Sequence, residues 1–314
     1  MLRSLSAAIF AIALLVHPDG AQADDLDHIR AQALALVNQS RQQHKLPPLS
    51  QEVKLTKAAQ GHASDMLKRN YYAHSSPEGK TVSDRYKRAG GSNWLLTAEN
   101  IAKFSNSPLP VSDNLLKHIQ ESWMNSPGHR KNILHPGLTE FGFGIAVDAR
   151  GELYAVQNFA GPGVPIATGA VADAKPIGPQ EQITLALAAI NAERKKAGRA
   201  ALQSSDALAK AAQALLPEKD DKSFSIGKKN IWDIIPAQDG ESWKSVSILN
   251  VACGGCGIQP VVDDVGYFTG QMAGEKKSRA MLVDANVTHL GFAIGADGAG
   301  KKVAIGVVGQ REGR

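Results

Sequence analysis

The feature that most constrains this chain is an internal repeat. Asn38, Arg41, Leu49, Leu55, Lys57, Ala58, Ala59 and Gln60 recur 153 positions later, without a gap, as Asn191, Arg194, Leu202, Leu208, Lys210, Ala211, Ala212 and Gln213. Arg130, Thr139, Gly142, Phe143, Asp148, Gly151 and Ala155 recur 149 positions later as Arg279, Thr288, Gly291, Phe292, Asp297, Gly300 and Ala304. Spacing held in this way marks two copies of one folding unit. The sequence therefore predicts one domain over 26–160 and a second over 181–311, which 314 residues accommodate at roughly 100–200 residues per domain. Between them 161–180, with four prolines and four glycines, reads as a linker.

Each copy opens with a helical period: Ile29, Ala33, Leu36 and Val37 share one face in the first, and Ile183, Leu187 and Ile190 do so in the second. A second helix follows over 51–69 and over 204–216, where Pro217 stops it. A further helix over 111–124 carries Leu115, Ile119 and Trp123. Each copy ends in two strand-like runs around a turn, at 141–147 with 153–159 and at 290–296 with 303–308. Helices first and hairpin strands last give an α+β class with a largely antiparallel sheet.

The start of the chain is apolar from Ala7 to Val16 behind Arg3, with Ala21-Gln22-Ala23 at its end. That is the pattern of a signal peptide over 1–23. The run is too short for a spanning helix, which needs about 20 apolar residues, so the expectation is a secreted or periplasmic chain with no transmembrane segment once processed. A net charge of +5 comes from 35 Lys and Arg scattered among 30 Asp and Glu. Without a basic run this is no nucleic-acid footprint.

Histidine is distributed unevenly: among the eight after residue 23, only His289 belongs to the second copy. Three stretches of the first copy are distinctive, namely Tyr-Tyr-Ala-His-Ser-Ser-Pro-Glu-Gly-Lys-Thr at 71–81, Ala-Glu-Asn-Ile-Ala at 98–102 and Glu-Ser-Trp-Met-Asn-Ser-Pro-Gly-His-Arg-Lys-Asn-Ile-Leu at 121–134. Together they resemble the CAP superfamily of cysteine-rich secretory, antigen 5 and pathogenesis-related proteins in its bacterial SCP-like form. The resemblance covers 26–160 and, through the repeat, extends more weakly over 181–311.

The resemblance implies tandem α-β-α sandwiches with a central cleft. His74 and His129 take the places of the family's two cleft histidines, and Glu99 that of the Glu in its Gly-Glu-Asn motif, whose first residue is Ala98 here. The family's other cleft Glu follows the helix Trp, where this chain has Ser126; Glu121, from the same helix, is either its substitute or a solvated charge. Two imidazoles and a carboxylate suit a divalent metal such as zinc, held by His74 and His129. The residues mark no Gly-x-Ser-x-Gly nucleophile and no His-Glu-x-x-His. Ser75 and Ser76 read as loop residues, not as partners of a base. The resulting expectation is an extracellular module binding a lipid, small-molecule or protein ligand, and the alternative is a metal-assisted extracellular hydrolase or peptidase.

In the second copy His129 aligns with Ser278 and Glu99 with Lys229, which predicts a degenerate domain lacking the site; divergence is expected between Asn230 and Arg279. That segment holds the chain's two cysteines, Cys253 and Cys256. A small-loop disulfide is the expectation for an exported protein, with free thiols or a metal share as alternatives. Gly254, Gly255 and Gly257 oppose the helix that a redox-active pair would open.

Overall fold

The computed structural model describes residues 19–165, 175–217, 230–235 and 243–311. Most of the expected signal peptide, 166–174 of the linker and Lys229 lie outside these residues. In the first half the order is α1 (Asp19–Gln43), β1 (Ser50–Gln51), α2 (Val53–Arg69), α3 (Val82–Arg88), β2 (Leu96–Phe104), α4 (Asp113–Asn125), α5 (Pro127–Ile133), β3 (Glu140–Val147) and β4 (Leu153–Gly161). The second half continues with α6 (Pro179–Lys196), β5 (Gln203–Ser204), α7 (Asp206–Ala214), α8 (Ile231–Ile234), β6 (Trp243–Cys253), α9 (Val262–Gly274), α10 (Lys276–Leu282), β7 (His289–Ala296) and β8 (Lys302–Arg311). No helix among the described residues is long and apolar enough to cross a membrane.

Each half builds one four-stranded sheet, ordered β1-β3-β4-β2 in the first and β5-β7-β8-β6 in the second. Only the short outer strands β1 and β5 pair parallel, so both sheets are largely antiparallel. The period-2 alternation of strand side chains then sorts the layers. On β3, Phe141, Phe143 and Ile145 face a core with Val37, Ile119 and Trp123 from α1 and α4. Gly142 and Gly144 point the other way and admit α2, so closely that a Cβ on Gly142 would lie 2.2 Å from the Thr56 nitrogen. The second sheet repeats this, with Leu290, Phe292 and Ile294 in one core and Gly291 against Leu208 of α7. Both halves are α+β sandwiches with helices on either face.

The repeated polar residues are fasteners. Asn38 donates to the Leu49 carbonyl at 2.9 Å and accepts from its N–H at 2.8 Å, and Asn191 does the same with Leu202 at 3.0 and 2.7 Å. The buried Arg41 guanidinium donates to the carbonyls of Pro47, Ile133, His135 and Leu138. Arg194 repeats the clamp on Ala200, Leu282, Asp284 and Val287. A planar guanidinium with several fixed donors is suited to gathering carbonyls from two segments.

The divergence expected between Asn230 and Arg279 does not extend to the elements themselves. β6 pairs with β8 as β2 does with β4, and α9 and α10 follow it as α4 and α5 follow β2. A ladder constrains position and alternation far more than residue identity, so the elements persist where the letters do not. Cys253 and Cys256 are joined as a disulfide. Its loop meets the first half: Gly255 N–H donates to the Trp94 carbonyl at 2.7 Å, Gly257 N–H to that of Pro162 at 2.8 Å, and Cys256 bridges Gly163. Gly255 and Gly257 need their positive φ, 69° and 90°, to turn the loop into this contact.

Candidate functional site

Strand alternation also builds the site. On β2, Glu99 faces the α2 side and Asn100 the α4–α5 side. The Glu99 side chain is 2% exposed, and Arg85 of α3 donates to its Oε2 at 2.6 Å. Asn158 of β4, directly across the ladder, donates to the same oxygen at 3.1 Å with its amide nitrogen turned inward. His74, in the loop after α2, meets Oε1 through Nδ1 at 3.0 Å, and its ring is 59% exposed. A carboxylate only accepts, so Nδ1 carries the proton of this bond. Arg85 also donates to the His74 carbonyl at 3.0 Å and that of Lys80 at 2.7 Å, so one guanidinium fixes both the loop and the carboxylate.

His62, buried on α2, completes this side. Its Nε2 donates to the Ala73 carbonyl at 3.0 Å and lies 3.9 Å from Glu99 Oε1. Tyr71 lies 3.4 Å from His62 Nδ1 and gives its own proton to Asp65 at 2.6 Å. Burial holds His62 below the usual imidazole range, outweighing the pull of Glu99 upward, so the ring is neutral at pH 7.

On the other face Asn100 donates to the His129 carbonyl at 3.2 Å and to Gln157 at 3.1 Å, while accepting from Asn132 at 2.9 Å. Gln157 passes the chain on to Gln120, and Gln120 to Ser40. This buried network sets α5, and with it His129, against the edge of β2. His129 is half-buried, and its imidazole is depressed by burial first and by His74 second. Glu121 is exposed on α4, and no hydrogen bond or ion pair among the described residues joins it to His74, Glu99 or His129.

Three protein ligands for a zinc-type ion are not assembled here: no group of three His, Cys, Asp or Glu that could hold a metal exists among the described residues, and Arg85 already neutralises Glu99. The sequence singles out neither Arg85 nor His62. His62 follows Leu55 and Ala59 and precedes Met66 at helical spacing, so it reads as a core position. Arg85 carries no local signal, since its partner is 14 residues away on a strand.

Residues 34–159 match the family model described as the cysteine-rich secretory protein family, CAP. The first domain is a CAP domain. Among curated relatives, the uncharacterized protein YkwD of Bacillus subtilis (strain 168) is 38% identical over 109 residues, 35% of this chain and 39% of that protein. The uncharacterized membrane protein YlbC of the same organism is 34% identical over 129 residues, 41% of this chain and 33% of that one. The chain thus spans well under half the length of either. A crystal structure of an extracellular protein containing an SCP domain from Bacillus anthracis str. Ames is 33% identical at a TM-score of 0.35, covering 42% of this chain and 40% of that one.

In the second half the positions that carry the CAP domain's polar set are apolar. Register places Ile248 opposite Val307 where Glu99 faces Asn158, and Leu249 opposite Gly306 where Asn100 faces Gln157. The counterpart of Glu99 is therefore Ile248, and not Lys229 as the sequence alignment had it. Two adjacent identities could not anchor that alignment, whereas a ladder register can. Leu215 stands at the repeat position of His62 and is buried.

Proposed function

We propose that this is an exported binding protein whose CAP domain recognises its ligand at the rim formed by His74, Glu99 and His129, with a divalent cation held between the two imidazoles. The second half, in this reading, is a degenerate CAP-like domain that keeps the scaffold without the site. The observation that carries the proposal is the commitment of Glu99. Its carboxylate is buried and engaged by Arg85, Asn158 and His74, which makes it an orienting group rather than a proton-abstracting base. A site that fixes an exposed imidazole and spends its carboxylate on holding it is built to bind. The apolar replacement of the same positions in the second half supports a role specific to the first.

The export signal read in the sequence supports an extracellular place, and the extracellular protein of Bacillus anthracis that resembles this chain is consistent with it. Zinc titration of the full chain by calorimetry tests the site. One ion should bind per chain, and His74→Ala or His129→Ala should each abolish it, while His289→Ala leaves it intact. Unchanged binding in the first two variants would show that these imidazoles are structural.

A further inference from the structure

Behind the Glu99 site, α2, α3 and the loop between them border a half-open cavity of about 590 Å³, within the span of roughly 300–1,000 Å³ usual for small-molecule sites. None of His74, Glu99 and His129 lines it. Its charge is one-sided: Lys57, Arg69, Lys80, Arg85 and Arg88 line it, against Asp65 and Glu78.

Both carboxylates are already taken. Arg69 pairs with Glu78 at 2.7 Å and approaches Asp65 at 3.5 Å, and Tyr71 donates to Asp65 at 2.6 Å. Arg69 and Ser76 hold the Glu78 carboxyl down at about 2, so it does not take up a proton to leave the pair near neutral pH. Lys57, Lys80 and Arg88 have no ion pair among the described residues. Arg85 spends both terminal nitrogens on Glu99 and on the carbonyls of His74 and Lys80, yet its Nε–H is buried without an acceptor. That nitrogen is sealed from the pocket, so Arg85 contributes its charge there through a guanidinium fixed on Glu99. Gly61 adds room, since a side chain there would meet nothing within 4 Å.

We propose that this cavity binds a small organic oxyanion bearing at least two negative charges, of the phosphate-ester type. Lys57, Lys80 and Arg88 supply the unpaired charge, and Arg85, held on Glu99, adds its fixed charge at the inner wall. The cavity thus shares one side chain with the Glu99 site.

Calorimetry of the full chain with inorganic pyrophosphate at low ionic strength tests this. A dissociation constant below about 1 mM is expected, weakened at least about tenfold by Lys57→Ala combined with Arg88→Ala, a loss of two charge-assisted contacts. Both residues are exposed, so the fold survives the change. Lys196→Ala combined with Arg199→Ala removes the same charge from the second half and should leave the affinity within about twofold. No binding, or equal weakening by both pairs, overturns the proposal. So does adsorption of the chain to phosphatidylglycerol vesicles that neither pyrophosphate nor glycerol 3-phosphate displaces, because that is a surface effect and not a cavity. Neither Lys57 nor Arg88 touches Glu99 or His74, so this result stands or falls apart from the zinc titration.

Discussion

Removing the Arg41 guanidinium is the sharpest test of how the repeat holds itself together. Arg41 is buried and ties four carbonyls, at 2.8 Å to Pro47, 2.9 Å to Ile133, 3.0 Å to His135 and 3.3 Å to Leu138. Arg41→Ala removes all four bonds, although the His135 carbonyl keeps the Leu138 N–H at 3.3 Å. At about 1 kcal/mol for each bond lost, the cost is about 4 kcal/mol. With a urea m-value of about 2 kcal/mol/M, the midpoint of the first half falls by about 2 M. Arg41→Lys keeps the charge but presents a point donor in place of a fork, and should recover no more than about half of that. Hydrogen exchange across a urea series, read separately in peptides spanning 133–138 and 282–287, distinguishes the halves. Arg194→Ala should mirror the effect in the second half through Ala200, Leu282, Asp284 and Val287. A midpoint shift under about 0.5 M, or equal loosening of both halves by either variant, would refute the clamp as the device that joins these segments.

Three further outcomes follow from the geometry. Glu99→Gln leaves the Arg85 guanidinium, 11% exposed, facing an uncharged amide; denaturation should show a loss of about 3 kcal/mol, largely relieved by pairing the change with Arg85→Met, since an uncompensated buried charge costs more than a pair removed whole. Burial lowers the His62 and His135 imidazoles below their ordinary range, so on acidification the unfolded chain binds more protons than the folded one; stability of the first half should be full above about pH 6.5 and fall on acidification, and a stability that rises toward pH 5 would contradict the burial. Replacing Cys253 and Cys256 with alanine frees the loop that reaches Trp94 and Pro162; the Gly255 and Gly257 amides should then exchange faster while those of β7 and β8 stay protected, and unaltered exchange would show that the contact does not depend on the disulfide.

The hairpins, the opening helices and the recurrence of Asn38 and Arg41 could be read from the sequence because their signals are local or repeated. Alternating Phe and Gly at 141–144 encode both faces of a strand, and a residue retained at a fixed spacing in two otherwise divergent copies has a role belonging to the scaffold. His74, Glu99 and His129 were legible only through motifs, since nothing within a few residues of each tells where the other two lie. Arg85, His62 and Asn158 were not legible at all. They reach Glu99 across 14, 37 and 59 residues of chain, and only the register of β2 on β4 and the seating of α2 on β3 bring them there. The same register, not letter matching, identified Ile248 as the residue in Glu99's place. Sequence determined which segments bury which face, because burial follows the period of apolar side chains along one element. The tertiary structure decided which polar groups meet, because that depends on how separate elements stack, and no periodicity within one of them encodes it.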